Sequence, residues 1–174
     1  MLIDPPILSY KKLWLIRAAK LLGQARRIPL ARMARRRKRT FRSKEEAFER
    51  FSAGRGIFKT WSEDFIRAYL ECGLLEKDDK QAILKCDPEL EAQIFEAIPL
   101  DIWRYAGDIR CPVLALRGEH SPTFLPEAAR RLGRFIRDYT LETVPGTGHF
   151  LPMEKPAACA LLVDDFIIRK VGLM

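Results

Sequence analysis

The residue best suited to chemistry is His149, in the run Pro145-Gly146-Thr147-Gly148-His149-Phe150. Glycines at 146 and 148 open backbone angles closed to other residues, so the chain can turn sharply there. The preceding segment, Tyr139 to Val144, alternates like a strand, which places the turn at a strand's carboxyl end. In open parallel sheets, that is the end where ligands bind. An imidazole held there can take a proton from a nucleophile and return it to a leaving group near neutral pH. Two carboxylates could orient the ring. Glu119 follows Gly118 at the close of a second strand-like run, and Asp4 precedes Pro5 and Pro6. His120 reads as an exposed loop residue.

The elements that would position these groups follow from periodicity. Met1-Leu2-Ile3 reads as the end of a buried strand, stopped by Pro5 and Pro6. From Ser9, a plausible N-cap, Trp14, Ala18, Leu21, Leu22 and Ala25 recur at helical spacing. Ser43 with Glu46 forms a capping-box pattern ahead of Ala47, Phe48 and Phe51. Ser62 opens a helix carrying Phe65, Ile66, Tyr69 and Leu70, ended by Gly73. Asp87-Pro88 opens another with Leu90, Ile94 and Phe95. Residues 9–105 are therefore expected to be nearly all helical. Beyond them, Pro112 to Leu116 is a continuous apolar run, as in a strand buried on both faces. Helices are expected over Pro126 to Arg137 and Ala157 to Arg169, giving a βαβ unit in a parallel sheet.

Residues 111–132, Cys-Pro-Val-Leu-Ala-Leu-Arg-Gly-Glu-His-Ser onward, and residues 141–156 around Gly-Thr-Gly-His resemble the last two strands of the α/β-hydrolases. In that family the penultimate strand ends in a turn carrying the catalytic acid, and the last strand in a Gly-His turn carrying the base. The two turns lie 31 residues apart here, from Gly118 to His149, with room for one helix and one strand. Leu2 to Pro6 is similar to the end of the strand after which many members insert a helical cap. The resemblance implies an α/β fold: the C-terminal part of a hydrolase sheet, about three parallel strands, with a mostly helical cap. Its divisions would be 1–8 (strand end), 9–105 (cap) and 106–174 (C-terminal core with the histidine turn).

It also implies roles. His149 is the inherited base. The place usually held by the acid is occupied by Ser121, which cannot stabilise an imidazolium by charge. Glu119 is the preferred acid. Asp4 is the alternative, because some members take the acid from the strand before the cap. A Gly-x-Ser-x-Gly elbow is absent: of Ser9, Ser43, Ser52, Ser62 and Ser121, only Ser52 has glycine two places on, and Arg50 stands two places before it. A chain with Met1 inside a strand points to a truncated reading frame, a split gene or an internal start, inactive alone and completed by an N-terminal hydrolase segment.

Charge is unevenly spread. Residues 1–60 hold 17 Lys and Arg against 4 Asp and Glu, a net of +13 within a total of +8. The run Arg35-Arg36-Arg37-Lys38-Arg39 allows a second reading, a non-enzymatic binding module using a basic cap surface on nucleic acid or anionic membrane. No nucleic-acid motif accompanies it, and neither partner is the favoured expectation. Cysteines 72, 86, 111 and 159 make no Cys-x-x-Cys pair, so no metal or other cofactor is expected. Cys72 and Cys111 sit among apolar residues and read as buried free thiols, consistent with the cytoplasm. The favoured function is hydrolysis of an ester or related acyl bond in a small hydrophobic substrate. Phe58, Trp61, Trp103 and Phe150 are candidate pocket aromatics.

Overall fold

In a computed structural model describing residues 1–54 and 56–172, the chain opens with β1 (Leu2–Ile3), α1 (Tyr10–Leu21) and α2 (Pro29–Arg35). Next come β2 (Thr40–Phe41), α3 (Lys44–Ser52), α4 (Glu63–Gly73), β3 (Leu74–Glu76), β4 (Ala82–Leu84) and α5 (Pro88–Glu96). It closes with α6 (Ile102–Ala106), β5 (Val113–Gly118), α7 (Pro126–Leu132), β6 (Tyr139–Val144), α8 (Leu151–Glu154) and α9 (Pro156–Val171). Two compact units result: Met1–Leu13 with the chain from Leu100 onward, and Trp14–Pro99.

The first unit holds a parallel sheet in the order β1-β5-β6. Its middle strand β5 is buried along its whole length, which is why its sequence runs apolar without alternation. Successive side chains still point to opposite faces. Val113 and Ala115 pack with Trp103, Ala128, Ala129 and Leu132, whereas Leu114 and Leu116 pack with Val144, Leu151 and Cys159 and with Leu162 and Phe166 of α9. Removing Leu114 or Leu116 wholly from water stabilises the unit by about 2 kcal/mol each. Ala115 and Leu116 face Leu2 and Ile3, and Gly118 faces Val144, so all three strands end on one side.

The second unit is mostly helical. Ser43, Ser62 and Asp87 cap α3, α4 and α5, accepting from the backbone of Glu46, Phe65 and Glu89 at 3.2, 3.4 and 2.8 Å. Two findings depart from the sequence expectation. Residues 9–105 also contain an antiparallel sheet, β2-β4-β3, with Phe41 opposite Ala82 and Leu75 opposite Ile83. Strands of two or three residues are too short to show a period-2 pattern, and the β3–β4 turn relies on Lys80 at φ 63°. The apolar residues of α1 are also displaced: Leu13 is buried, while Trp14 and Leu21, and Leu22 just past the helix end, are exposed. Among the described residues, no helix is long and apolar enough to cross a membrane.

Candidate active site

The histidine turn is held by its own backbone and by neighbouring carboxylates. Gly146 takes φ 66°, a left-handed conformation that suits glycine. Its N–H donates to Glu119 Oε2 at 2.7 Å, and Gly148 N–H donates to Glu154 Oε2 at 2.8 Å. The buried Thr147 hydroxyl donates to the Val144 carbonyl at 2.8 Å, and its own carbonyl accepts from His120 N–H at 2.9 Å. Gly118, at the end of β5, lies against this turn. A Cβ there would overlap the Gly148 carbonyl oxygen and stand 2.8 Å from that of Thr147.

Asp4 enters the same place from β1. Its backbone takes φ 41°, unusual for a residue other than glycine, and its N–H donates to the Leu116 carbonyl at 2.7 Å. The side chain is fully buried. Oδ1 accepts from Gly118 N–H at 3.0 Å. Oδ2 accepts from the Ser121 hydroxyl at 2.5 Å and lies 2.7 Å from His149 Nδ1. Burying a lone carboxylate costs several kcal/mol, and hydrogen bonds of about 1.5–3 kcal/mol each to the charged group offset it. A carboxylate that only accepts is matched here by the Nδ1–H tautomer of His149, which leaves the Nε2 lone pair unused by this contact. The His149 side chain is about one-third exposed, 34%, and its ring meets Phe150 edge-on at 4.8 Å.

Comparison with known proteins gives a partial match in sequence and an extensive one in structure. No family model matches the chain. Abhydrolase domain-containing protein AFT2-1 of Alternaria alternata is 36% identical over 81 residues, 40% of this chain and 31% of that protein. The similar protein AKT2 of the same organism is 34% identical over 86 residues, 42% of this chain and 33% of its own length. Thus the match spans about a third of these curated relatives. E-2-(acetamidomethylene)succinate hydrolase superposes with a TM-score of 0.64 at 20% identity, over 93% of this chain and 54% of its own. The esterase Rv0045c of M. tuberculosis superposes with a TM-score of 0.64 at 16% identity, over 92% of this chain and 51% of its own. The fold is that of the α/β-hydrolases.

Within the α/β-hydrolase fold, the carboxylate that meets the histidine is Asp4, the alternative the sequence offered beside Glu119. Glu119 points instead to Gly146 N–H, with the exposed His120 at 3.7 Å from its carboxylate. It follows Gly118 directly, and its side chain fastens the backbone of the histidine turn. Ser121, at the usual acid position, is buried and donates to Asp4. That hydroxyl was missed from sequence, where the available signals were a serine in the acid's place and an aspartate closing a strand. Arg117, also buried, holds the intervening loop, donating to the Phe124 carbonyl from Nε and to the Glu119 carbonyl from Nη2, each at 3.1 Å.

Each candidate pocket aromatic has neighbours within its own unit. Phe58 and Trp61 belong to a cluster with Phe51 and Tyr69 in the helical unit. Trp103 is a core residue of the sheet unit, stacked on Tyr10, with its indole N–H donating to the Leu8 carbonyl at 3.1 Å. Phe150 meets the His149 ring edge-on. The arginine cluster is engaged by acids of its own unit. Arg35 pairs with Glu89 and Glu96, Arg37 with Glu91, Lys38 with Glu46 and Arg39 with Asp87. Hydrogen bonds from Lys38 and Arg35 hold the Glu46 and Glu89 carboxyls below their ordinary pKa. Cys72 and Cys111 are exposed rather than buried, because Cys72 lies off the Ile66–Leu70 face of α4 and Cys111 lies in the turn before β5. Among the described residues, no group of three His, Cys, Asp or Glu could hold a metal ion.

Proposed function

We propose that this chain carries the base and acid of a hydrolase acting on an ester or related acyl bond. The contact between His149 Nδ1 and the buried Asp4 carboxylate, 2.7 Å, carries the reading. Asp4 orients the ring and stabilises the imidazolium. Nε2 takes the nucleophile's proton as general base and returns it to the leaving alkoxide as general acid. Ser121 is not the nucleophile, since its proton is directed to Asp4 and its oxygen is buried. No Gly-x-Ser-x-Gly elbow stands in the 174 residues, so the nucleophile comes from a segment outside them, and the chain alone is inactive. The fold shared with an esterase and with E-2-(acetamidomethylene)succinate hydrolase is in keeping with this reading. Free thiols at 72, 86, 111 and 159 suit a reducing compartment such as the cytoplasm. The basic-surface reading loses support from the internal pairing of Arg35, Arg37, Lys38 and Arg39.

The test is turnover of a short-chain nitrophenyl ester by the purified chain, alone and joined to whatever coding sequence precedes Met1 in frame. The isolated chain should match its His149→Ala variant, and the joined chain should gain turnover that His149→Ala removes. Turnover by the isolated chain that depends on His149 would show a nucleophile within these residues. Turnover by the joined chain that survives His149→Ala would remove His149 as the base.

A further inference from the structure

Two donors share one oxygen of the acid. Asp4 Oδ2 lies 2.7 Å from His149 Nδ1 and 2.5 Å from Ser121 Oγ. The direction of the second bond follows from counting protons. Ser121 Oγ faces the N–H groups of Thr123 at 3.1 Å and Phe124 at 3.4 Å. A hydroxyl has one proton and two lone pairs, so with amides donating to the oxygen, its proton goes to Asp4. Oδ1 is met by Gly118 N–H. Rotation about the bond to a carboxyl group has broad, shallow wells, so the partners of the oxygens decide which way they face. Gly118 holds one oxygen and Ser121 holds the other beside the imidazole. The Ser121 loop is itself held from within the sheet by the Arg117 bonds to the Glu119 and Phe124 carbonyls.

We propose that Ser121 is a positioning residue for the Asp4–His149 pair: its hydroxyl sets the rotation of the carboxylate and so keeps the imidazole in the Nδ1–H tautomer. The residue occupying the fold's usual acid position thus serves an acid that stands just after β1 instead. This rests on His149 acting as a base through Nε2, because only that role requires one tautomer.

The test needs no turnover. The full 174-residue chain is labelled with 15N-histidine, and ring nitrogens are observed roughly two pH units above the ordinary imidazole pKa of about 6.5. His120→Gln assigns the other histidine. The unchanged chain should show His149 as Nδ1–H alone. In Ser121→Ala, the Nε2–H form should rise several-fold to become a major species, and Ser121→Thr, which keeps the hydroxyl, should restore the single tautomer. Should the alanine variant not fold, Ser121→Cys keeps the volume with a much weaker donor and should give the same mixture. If Thr123 and Phe124 amide signals move while the His149 tautomer does not, Ser121 only caps its loop and the inference is overturned. Asp4→Asn tests the underlying reading separately: it should disturb the tautomer, and if His149 is unaffected, Asp4 is not its partner.

Discussion

Replacing Gly118 by alanine should cost the sheet unit about 3 kcal/mol, because two turns meet backbone to backbone at that residue. The added methyl would overlap the Gly148 carbonyl oxygen, with its carbon at 2.7 Å and the Thr147 carbonyl oxygen at 2.8 Å. None of these atoms belongs to a side chain that could swing away, so the histidine turn must shift as a body. Overpacking of this kind costs roughly 1–3 kcal/mol. The same shift strains the bond from Gly118 N–H to Asp4 Oδ1, worth up to about 1.5–3 kcal/mol as a bond to a charged group. Partial relaxation of both leaves the lower part of their combined range, about 3 kcal/mol. For a chain of this length, ~3 kcal/mol corresponds to a fall of roughly 6–12 °C in Tm. The assay is thermal unfolding followed by near-ultraviolet ellipticity, with hydrogen exchange at the His120 amide, which donates to Thr147. Gly107→Ala is the control: its Cβ would meet nothing within 4 Å and its φ is −73°, so it should be neutral or slightly stabilising. If the two variants melted within about 0.5 kcal/mol of each other, with His120 exchange unchanged, the described packing of the turns would be wrong.

Two further outcomes test other parts of the chain. Cys72, Cys86 and Cys111 are exposed, whereas Cys159 is buried and burial pushes its thiol pKa up. A disulfide reagent should therefore modify three thiols promptly and Cys159 only on unfolding; four equal rates would contradict the packing of α9 on β5. Burial also pushes the Tyr139 phenol up to about 12. A folded-state pKa raised above the unfolded value near 10 means that stability is fully present below about pH 10 and is lost as pH rises toward 12. Ultraviolet titration should show a late phenolate step that disappears in Tyr139→Phe, and persistence of that step would assign it to another residue.

Much of the sheet unit was legible because its signals are local. The apolar run of β5, the alternation of β6 and the Gly-Thr-Gly-His turn each declare themselves within a few residues. The caps at Ser43, Ser62 and Asp87 were legible for the same reason. Which carboxylate meets His149 was harder to read, since Glu119 and Asp4 differ only by tertiary approach. Glu119 looked right by proximity to the turn glycine, yet its side chain reaches Gly146 N–H. Asp4 is carried to the ring by the pairing of Leu2 and Ile3 with β5, a register that two residues cannot announce. The small antiparallel sheet and the exposure of Trp14 and Leu21 were hidden likewise, the first by strand length and the second by which side of α1 is covered.

Asp4 and His149 are separated by 145 positions in the chain, and this bears on the order of folding. Closing so long a loop is entropically unfavourable, and the penalty grows with the logarithm of its length. The helical unit, Trp14–Pro99, lies wholly inside that loop, and Lys20 near its start donates to the Ile98 carbonyl near its end at 2.8 Å. Once this unit has folded, its 86 residues no longer count as slack, and the effective loop shrinks from 145 to about 59 residues, a saving of about 0.8 kcal/mol. The meeting of Asp4 with His149 is therefore less costly once the helical unit has formed. A chain whose insertion is slow to fold would assemble its proton-handling pair slowly as well, however far that insertion lies from the chemistry.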